Sequence, residues 1–250
     1  MRTVSPKLPL IGLFLLSAIP FSSPSNAYEV YDVGTYLNSS TLGTQSLGYL
    51  DGRYDDFAAS GIDLTFVNGL DSNGLGALTW QFTNNTAGTL TDVSLFGFLD
   101  GDIDQTVNSY FNEYGEYVSV NGTGSGDAAP DSWEIDEPGY VFGDIYDNLM
   151  VGKLDNSNGV PAGAEDDVSL ALGFDLGNIL AGETWTLSFF VSTENIGGLF
   201  HGDADSGTGV YVNGAVSMQQ GAAVPEPSTW LAFLLGLTGL SLVQRKRLFS

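Results

Sequence analysis

The 250-residue chain sets 30 acidic residues against seven basic ones, for a formal net charge of −23, and contains one histidine and no cysteine. A surface this negative repels nucleic acid and anionic lipid, so charge offers no route to either partner. Without cysteine the chain has no disulfides, no thiol chemistry and no Cys-ligated zinc.

Arg2 and Lys7 make a positive start, followed by an apolar stretch from Leu8 to Ile19 and small residues at Ser25-Asn26-Ala27. That layout predicts a secretory signal peptide over residues 1–27, cut between Ala27 and Tyr28. The alternative, an uncleaved signal anchor, is opposed by the short apolar core and by Pro20 and Pro24. Residues 28–223 then form one extracytoplasmic domain. It holds 29 of the acids, all but Glu226, against two bases, Arg53 and Lys153.

Within this domain, period-two alternation recurs and long helical stripes are missing. Weaker strands are predicted at 28–37, 62–67, 91–98, 115–120 and 209–217. Three segments alternate strongly: Leu78, Trp80 and Phe82; then Val168, Leu170, Leu172 and Phe174; then Trp185, Leu187, Phe189 and Val191. Each reads as a strand with one apolar face inward and one small or polar face outward. Turn chemistry punctuates them at Asn73-Gly74, Asn84-Asn85, Asn121-Gly122, Asn158-Gly159 and Asn213-Gly214. The expected fold is all-β, an antiparallel β-sandwich of immunoglobulin-like or jelly-roll-like type. The Asn84-Asn85 turn between two strands, with Leu180-Ala181-Gly182-Glu183 opening a later one, resembles extracellular immunoglobulin-like adhesin modules.

A stretch from about 100 to 167 reads as a long insertion rich in Asp, Gly, Asn and Tyr; long segments of this kind are functional or mobile. At its start Asp100, Asp102 and Asp104 occupy alternate positions, and in a curved loop their oxygens converge on one hard cation such as Ca2+. The trio resembles the opening of an EF-hand or dockerin-type loop. It departs from that pattern at Gln105, where Gly is expected, and at Phe111, where a bidentate acid is expected. A solvated Asp-rich turn is the competing reading. Asp203 and Asp205 form a second candidate, and Asp166-Asp167 reads as a solvated edge device. Tyr110, Phe111, Tyr114, Tyr117, Trp133, Tyr140, Phe142 and Tyr146 crowd the same stretch beside Glu113, Glu116, Glu134 and Asp136. Aromatic rings among carboxylates suit glycan recognition, or else cover a minor core. No catalytic set is marked: His201 stands alone and no nucleophile elbow is present. Two carboxylates suffice for a glycosidase, which leaves a polysaccharide-modifying enzyme as the third reading.

The tail, residues 224–250, has three parts in order. Val224-Pro225-Glu226-Pro227 precedes an apolar run from Leu231 to Val243, and Arg245-Lys246-Arg247 follows. With its flanks the run covers about 17 residues, the short end of a membrane span. The basic triplet keeps its own end cytoplasmic and places the acidic domain on the far side. Pro225 and Pro227 hold the strip before the helix extended. These residues resemble the PEP-CTERM tail of Gram-negative exported proteins. That resemblance implies recognition and removal by an exosortase, transient anchoring in the inner membrane, and association with exopolysaccharide in biofilm or floc. A plain C-terminal anchor is the alternative. The resemblance concerns address; for the domain itself the expectation is a non-catalytic surface or matrix role, with a calcium- or glycan-binding module as runner-up.

Overall fold

The computed structural model describes residues 28–49, 61–104, 109–119, 129–139 and 142–219; the expected signal peptide and C-terminal helix lie outside them. In chain order the elements are β1 (Tyr28–Ser39), β2 (Gly43–Tyr49), β3 (Ile62–Leu70), β4 (Gly76–Asn84) and β5 (Leu90–Ile103). A 3-10 turn at Tyr110–Asn112 leads into β6 (Glu113–Ser119), then β7 (Ser132–Asp136) and helix α1 (Ile145–Val151). β8 (Ser169–Ile179), β9 (Thr184–Ser192), β10 (Gly198–Asp203) and β11 (Gly209–Gln219) complete the order. The strands form two antiparallel sheets, one ordered β2-β1-β5-β8-β7 and the other β3-β4-β9-β11-β10-β6. All eight strands expected from alternation are present.

The two sheets pack face to face as a sandwich. Leu95, Leu99, Leu172 and Phe174 from the first meet Leu78, Trp80, Leu187, Phe189 and Val212 from the second, all buried in one cluster. Trp80 lies edge-on to Phe189 at 5.8 Å and tilted against Phe66 at 5.1 Å. Gly97 faces the Phe189 ring so closely that a Cβ has no room there.

Two expectations are corrected. β8 does not turn a polar face to solvent: Ser169, Ala171 and Gly173 are as buried as the apolar residues between them. The reason is α1, which covers the outer face of this sheet. Ile145, Leu149 and Leu154 pack there with Tyr36, Phe96, Phe98 and Ala171 in a second apolar cluster. Apolar side chains at both Phe96 and its neighbour Leu95 are the sign of a strand buried on both faces. Gly152 ends α1 in the left-handed conformation, its N–H capping the Leu149 carbonyl. Second, Asn213-Gly214 is no turn but the middle of β11. Asn213 Nδ2 donates to the Ile196 carbonyl at 2.8 Å, and Gly214 lies where a Cβ would press on Leu172, Phe174 and Phe189 at 3.0–3.1 Å. Here Asn-Gly answers a hydrogen-bond and a packing demand, not a change of chain direction.

The stretch from 100 to 167 is woven into both sheets. It supplies the end of β5, the edge strands β6 and β7, and α1. Tyr117 of β6 stacks on Trp133 of β7 at 4.6 Å, joining the two sheets at one side.

Candidate functional site

Strand register assembles the acids. On the five-stranded sheet Asp32 of β1 pairs with Asp100 of β5, Asp100 with Ser169 of β8, and Ser169 with Asp136 of β7. Directly opposed residues share a face, so one row crosses four strands with three aspartates in it. Asp32, Asp100 and Ser169 are buried. Like charges opposed across a sheet repel, and burial removes the water that would screen them. Burial chiefly, with Asp167 next and the Ser169 hydroxyl opposing, holds the Asp100 carboxyl well above the ordinary range.

Next to this row, Asp102, Glu113 and Asp167 bring carboxylate oxygens within 4.8 Å of one another. Glu113 uses both of its oxygens: Oε1 accepts from the Ile103 N–H at 2.8 Å, and Oε2 lies 2.7 Å from His201 Nε2. His201 Nδ1 is 3.4 Å from the Tyr28 hydroxyl, with the two rings edge-on at 5.5 Å. Glu113, His201 and Tyr28 are all buried. Burial, then Glu113, pushes Asp102 up to about 6 against the pull of His201. Burial, then Asp102 and Glu113, pushes Asp167 up to about 7. The Tyr28 hydroxyl is pushed up as well, by burial first and Glu113 second.

A second group joins Glu134, Asp136 and Asp144, again with oxygens within 4.8 Å. Glu134 accepts from Asn148 Nδ2 at 2.8 Å and from the Asp155 N–H at 3.1 Å, and burial lifts it to about 7 despite both bonds. Asp136 accepts from the Asp144 N–H at 2.6 Å, and burial raises it too. Carboxylates grouped this way are relieved by protons or by a hard cation held among oxygens. Asp102, Glu113 and Asp167, or Glu134, Asp136 and Asp144, are the residues that would hold one.

The expected site residues are placed as follows. Asp100 and Asp102 stand in extended β5 rather than in a curved loop, and Asp104 follows at a φ of 55°. Asp102 converges with Glu113 and Asp167, and Asp100 with Asp32 across the sheet. Asp203 is buried and anchors its own turn, accepting from the Ser206 N–H at 2.6 Å and Asn112 Nδ2 at 2.8 Å, while Asp205 is exposed. Tyr28 opens β1; Ala27, Val224 to Pro227 and Arg245 to Arg247 lie outside the described residues. Glu113 and Asp144 were not singled out by spacing. They reach their groups from different elements: Glu113 crosses from β6 of the second sheet to the end of β5, and Asp144 stands at the start of α1 with its N–H on Asp136, contacts that no local pattern states. Glu134 and Asp136 do carry a signal, two acids at alternate positions flanking the buried Ile135.

The aromatic residues divide between packing and solvent. Tyr114 packs on Phe200 at 6.0 Å. Tyr110, Phe111 and Phe142 are exposed by 41%, 59% and 68%, and they rim an open hollow of about 220 Å³ completed by Glu137, Pro138, Asp166 and Asp167.

Residues 223–247 match the family model of the PEP-CTERM protein-sorting motif. No curated protein and no solved structure gave a significant match.

Proposed function

We propose, for a chain that is a PEP-CTERM domain-containing protein and hence an exosortase-targeted, exported one, that it serves as a non-catalytic component of the exopolysaccharide matrix at the cell surface. The observation that carries this reading is the pairing of a sorting motif with a sandwich bearing 29 acids and two bases. Such a domain is hydrated, soluble and repelled by its own copies unless cations bridge them. A structural role is also supported by His201, which is fully buried between Glu113 and Tyr28 and presents no nitrogen to solvent.

The experiment is fractionation of surface polysaccharide from an exosortase-positive host. The mature domain is expected in the polysaccharide fraction, and its recovery in the free medium alone would overturn the matrix role. Changing Pro225 or Glu226 is expected to leave a full-length, membrane-bound form. Normal maturation of both variants would mean that sorting does not run through this motif.

The Asp102, Glu113 and Asp167 group favours a second reading, calcium binding. Calcium bound only to the folded domain raises the melting temperature as a saturable function of concentration. Sodium at matched ionic strength should not reproduce the effect, and Asp102→Asn should remove it. Equal responses to the two salts would leave only general screening.

A further inference from the structure

The hollow rimmed by Tyr110, Phe111 and Phe142 combines features that no single simple ligand class except one requires together. Its rings are exposed, and Tyr110 and Phe111 lie tilted against one another at 4.2 Å. Three acids, Glu137, Asp166 and Asp167, share the lining. Asp167 also belongs to the Asp102–Glu113 group, so the hollow is where that buried cluster reaches solvent.

A hydrated metal ion seeks oxygen ligands and gains nothing from three aromatic rings. A neutral hexose stacks on rings but leaves the mutual repulsion of the carboxylates in place. An organic ammonium answers both, because ring faces carry negative quadrupole that attracts it and carboxylates pair with it. Small-molecule pockets commonly reach 300 Å³ or more, so a hollow of about 220 Å³ suits one small unit and not an extended ligand. A sugar ring adds an apolar C–H face for Phe142 or Phe111 to cover.

We infer that this hollow binds an amino-bearing sugar unit, its ammonium held by Asp166, Asp167 and Glu137 and its ring face covered by Phe142 and Phe111. The inference rests on the matrix reading above and narrows it to polysaccharide that carries free amines. A protein lysine offers the same ammonium without the sugar face.

The test is calorimetric titration of the soluble domain with a glucosamine disaccharide, its N-acetylated counterpart, lysine amide and calcium chloride. The glucosamine disaccharide should bind, and N-acetylation should weaken it by about tenfold or more. Phe142→Ala and Asp167→Asn should each weaken it by about tenfold. Asp63→Asn, which makes the same charge change at an exposed position on β3, should leave affinity unaltered. Because Phe142 is mostly exposed, its variant should keep the wild-type melting temperature, which separates lost binding from lost folding.

Equal affinity for the acetylated and free disaccharides would overturn the inference, as would equal losses in Asp167→Asn and Asp63→Asn. Lysine amide binding as tightly as the disaccharide would reassign the hollow to protein amines. Calcium binding that Phe142→Ala leaves intact, with no disaccharide binding, would make it a metal site. If the hollow fails while the protein still fractionates with native polysaccharide, the matrix role stands and this site does not carry it.

Discussion

The middle of the sandwich and its acidic end are both largely buried and are held together by different physics. Around Trp80 and Phe189 the two sheets meet through apolar side chains, whose attraction is non-directional and independent of pH. Around Asp102, Glu113 and Asp167 the same two sheets meet through carboxylates, one imidazole and one phenol. Burial stabilises the first region outright. In the second it stabilises only while protons, hydrogen bonds or cations neutralise what has been buried. A fractional exposure near zero therefore carries opposite implications at the two ends of one core.

The largest test of this contrast is Trp80→Ala, expected to lower unfolding free energy by about 3–5 kcal/mol with the same loss at pH 5 and pH 8. Trp185→Ala should cost less, because that ring is only half-buried against the core. Equal losses at both positions would mean that the Trp185 ring is as fully buried as that of Trp80. Glu113→Ala comes next, at about 3 kcal/mol, since it strands the Ile103 N–H and buried His201 together. A neutral outcome in chemical denaturation would show that the acidic end contributes no order.

Smaller and more diagnostic is the dependence on pH. Asp102, Asp167 and Glu134 have folded-state values raised to about 6, 7 and 7. The folded state thus binds more protons than the unfolded chain, and stability falls as pH rises. Their contribution is complete below the ordinary carboxylate range and is lost as pH climbs through about 6 to 7. Exposed Asp71 and Glu165 are shifted down by backbone hydrogen bonds and act in the opposite sense, but solvent screens them. Without divalent cations, the melting temperature should be higher at pH 5 than at pH 8, and Asp167→Asn should flatten the slope. A melting temperature that rises over this range would contradict the assignment of buried protons. Smallest of all is Phe142→Ala, expected to change stability by less than about 0.5 kcal/mol because the ring is exposed.

Strands whose side chains alternate in chemistry were legible in the sequence; strands held by position alone were not. β4 and β9 declare themselves through Leu78-Trp80-Phe82 and Trp185-Leu187-Phe189, each with hydroxyl or amide residues between. The first half of β2, Gly43 to Ser46, has no apolar side chain to announce a strand and pairs along the edge that β1 offers. β7 and β10 are short and interrupted by acids or glycine, so their pairing comes from β8 and from β6 with β11. α1 is two turns long, too short for a 3.6-residue period to stand out. At the site, Asp100 and Asp102 were visible as spaced acids, but the expected loop is a strand. Their alternate spacing gives a shared sheet face, and their partners Asp32, Glu113 and Asp167 come from other segments.

The strand that leads to the sorting motif also has a mechanical meaning. β11 ends at Gln219 and the matched motif opens at residue 223. β11 is an interior strand, paired with β9 from Tyr211 to Gln219 and with β10 from Gly209 to Val212. Antiparallel ladder bonds run perpendicular to the strand, so tension along it loads many of them at once, in shear. An edge strand such as β3 would instead peel away one pair at a time. A pull transmitted from the tail would thus load the β9 ladder first, from Gln219 back to Tyr211, and would reach the β10 ladder only at Val212 to Gly209, so that both must give way before this strand leaves the sheet.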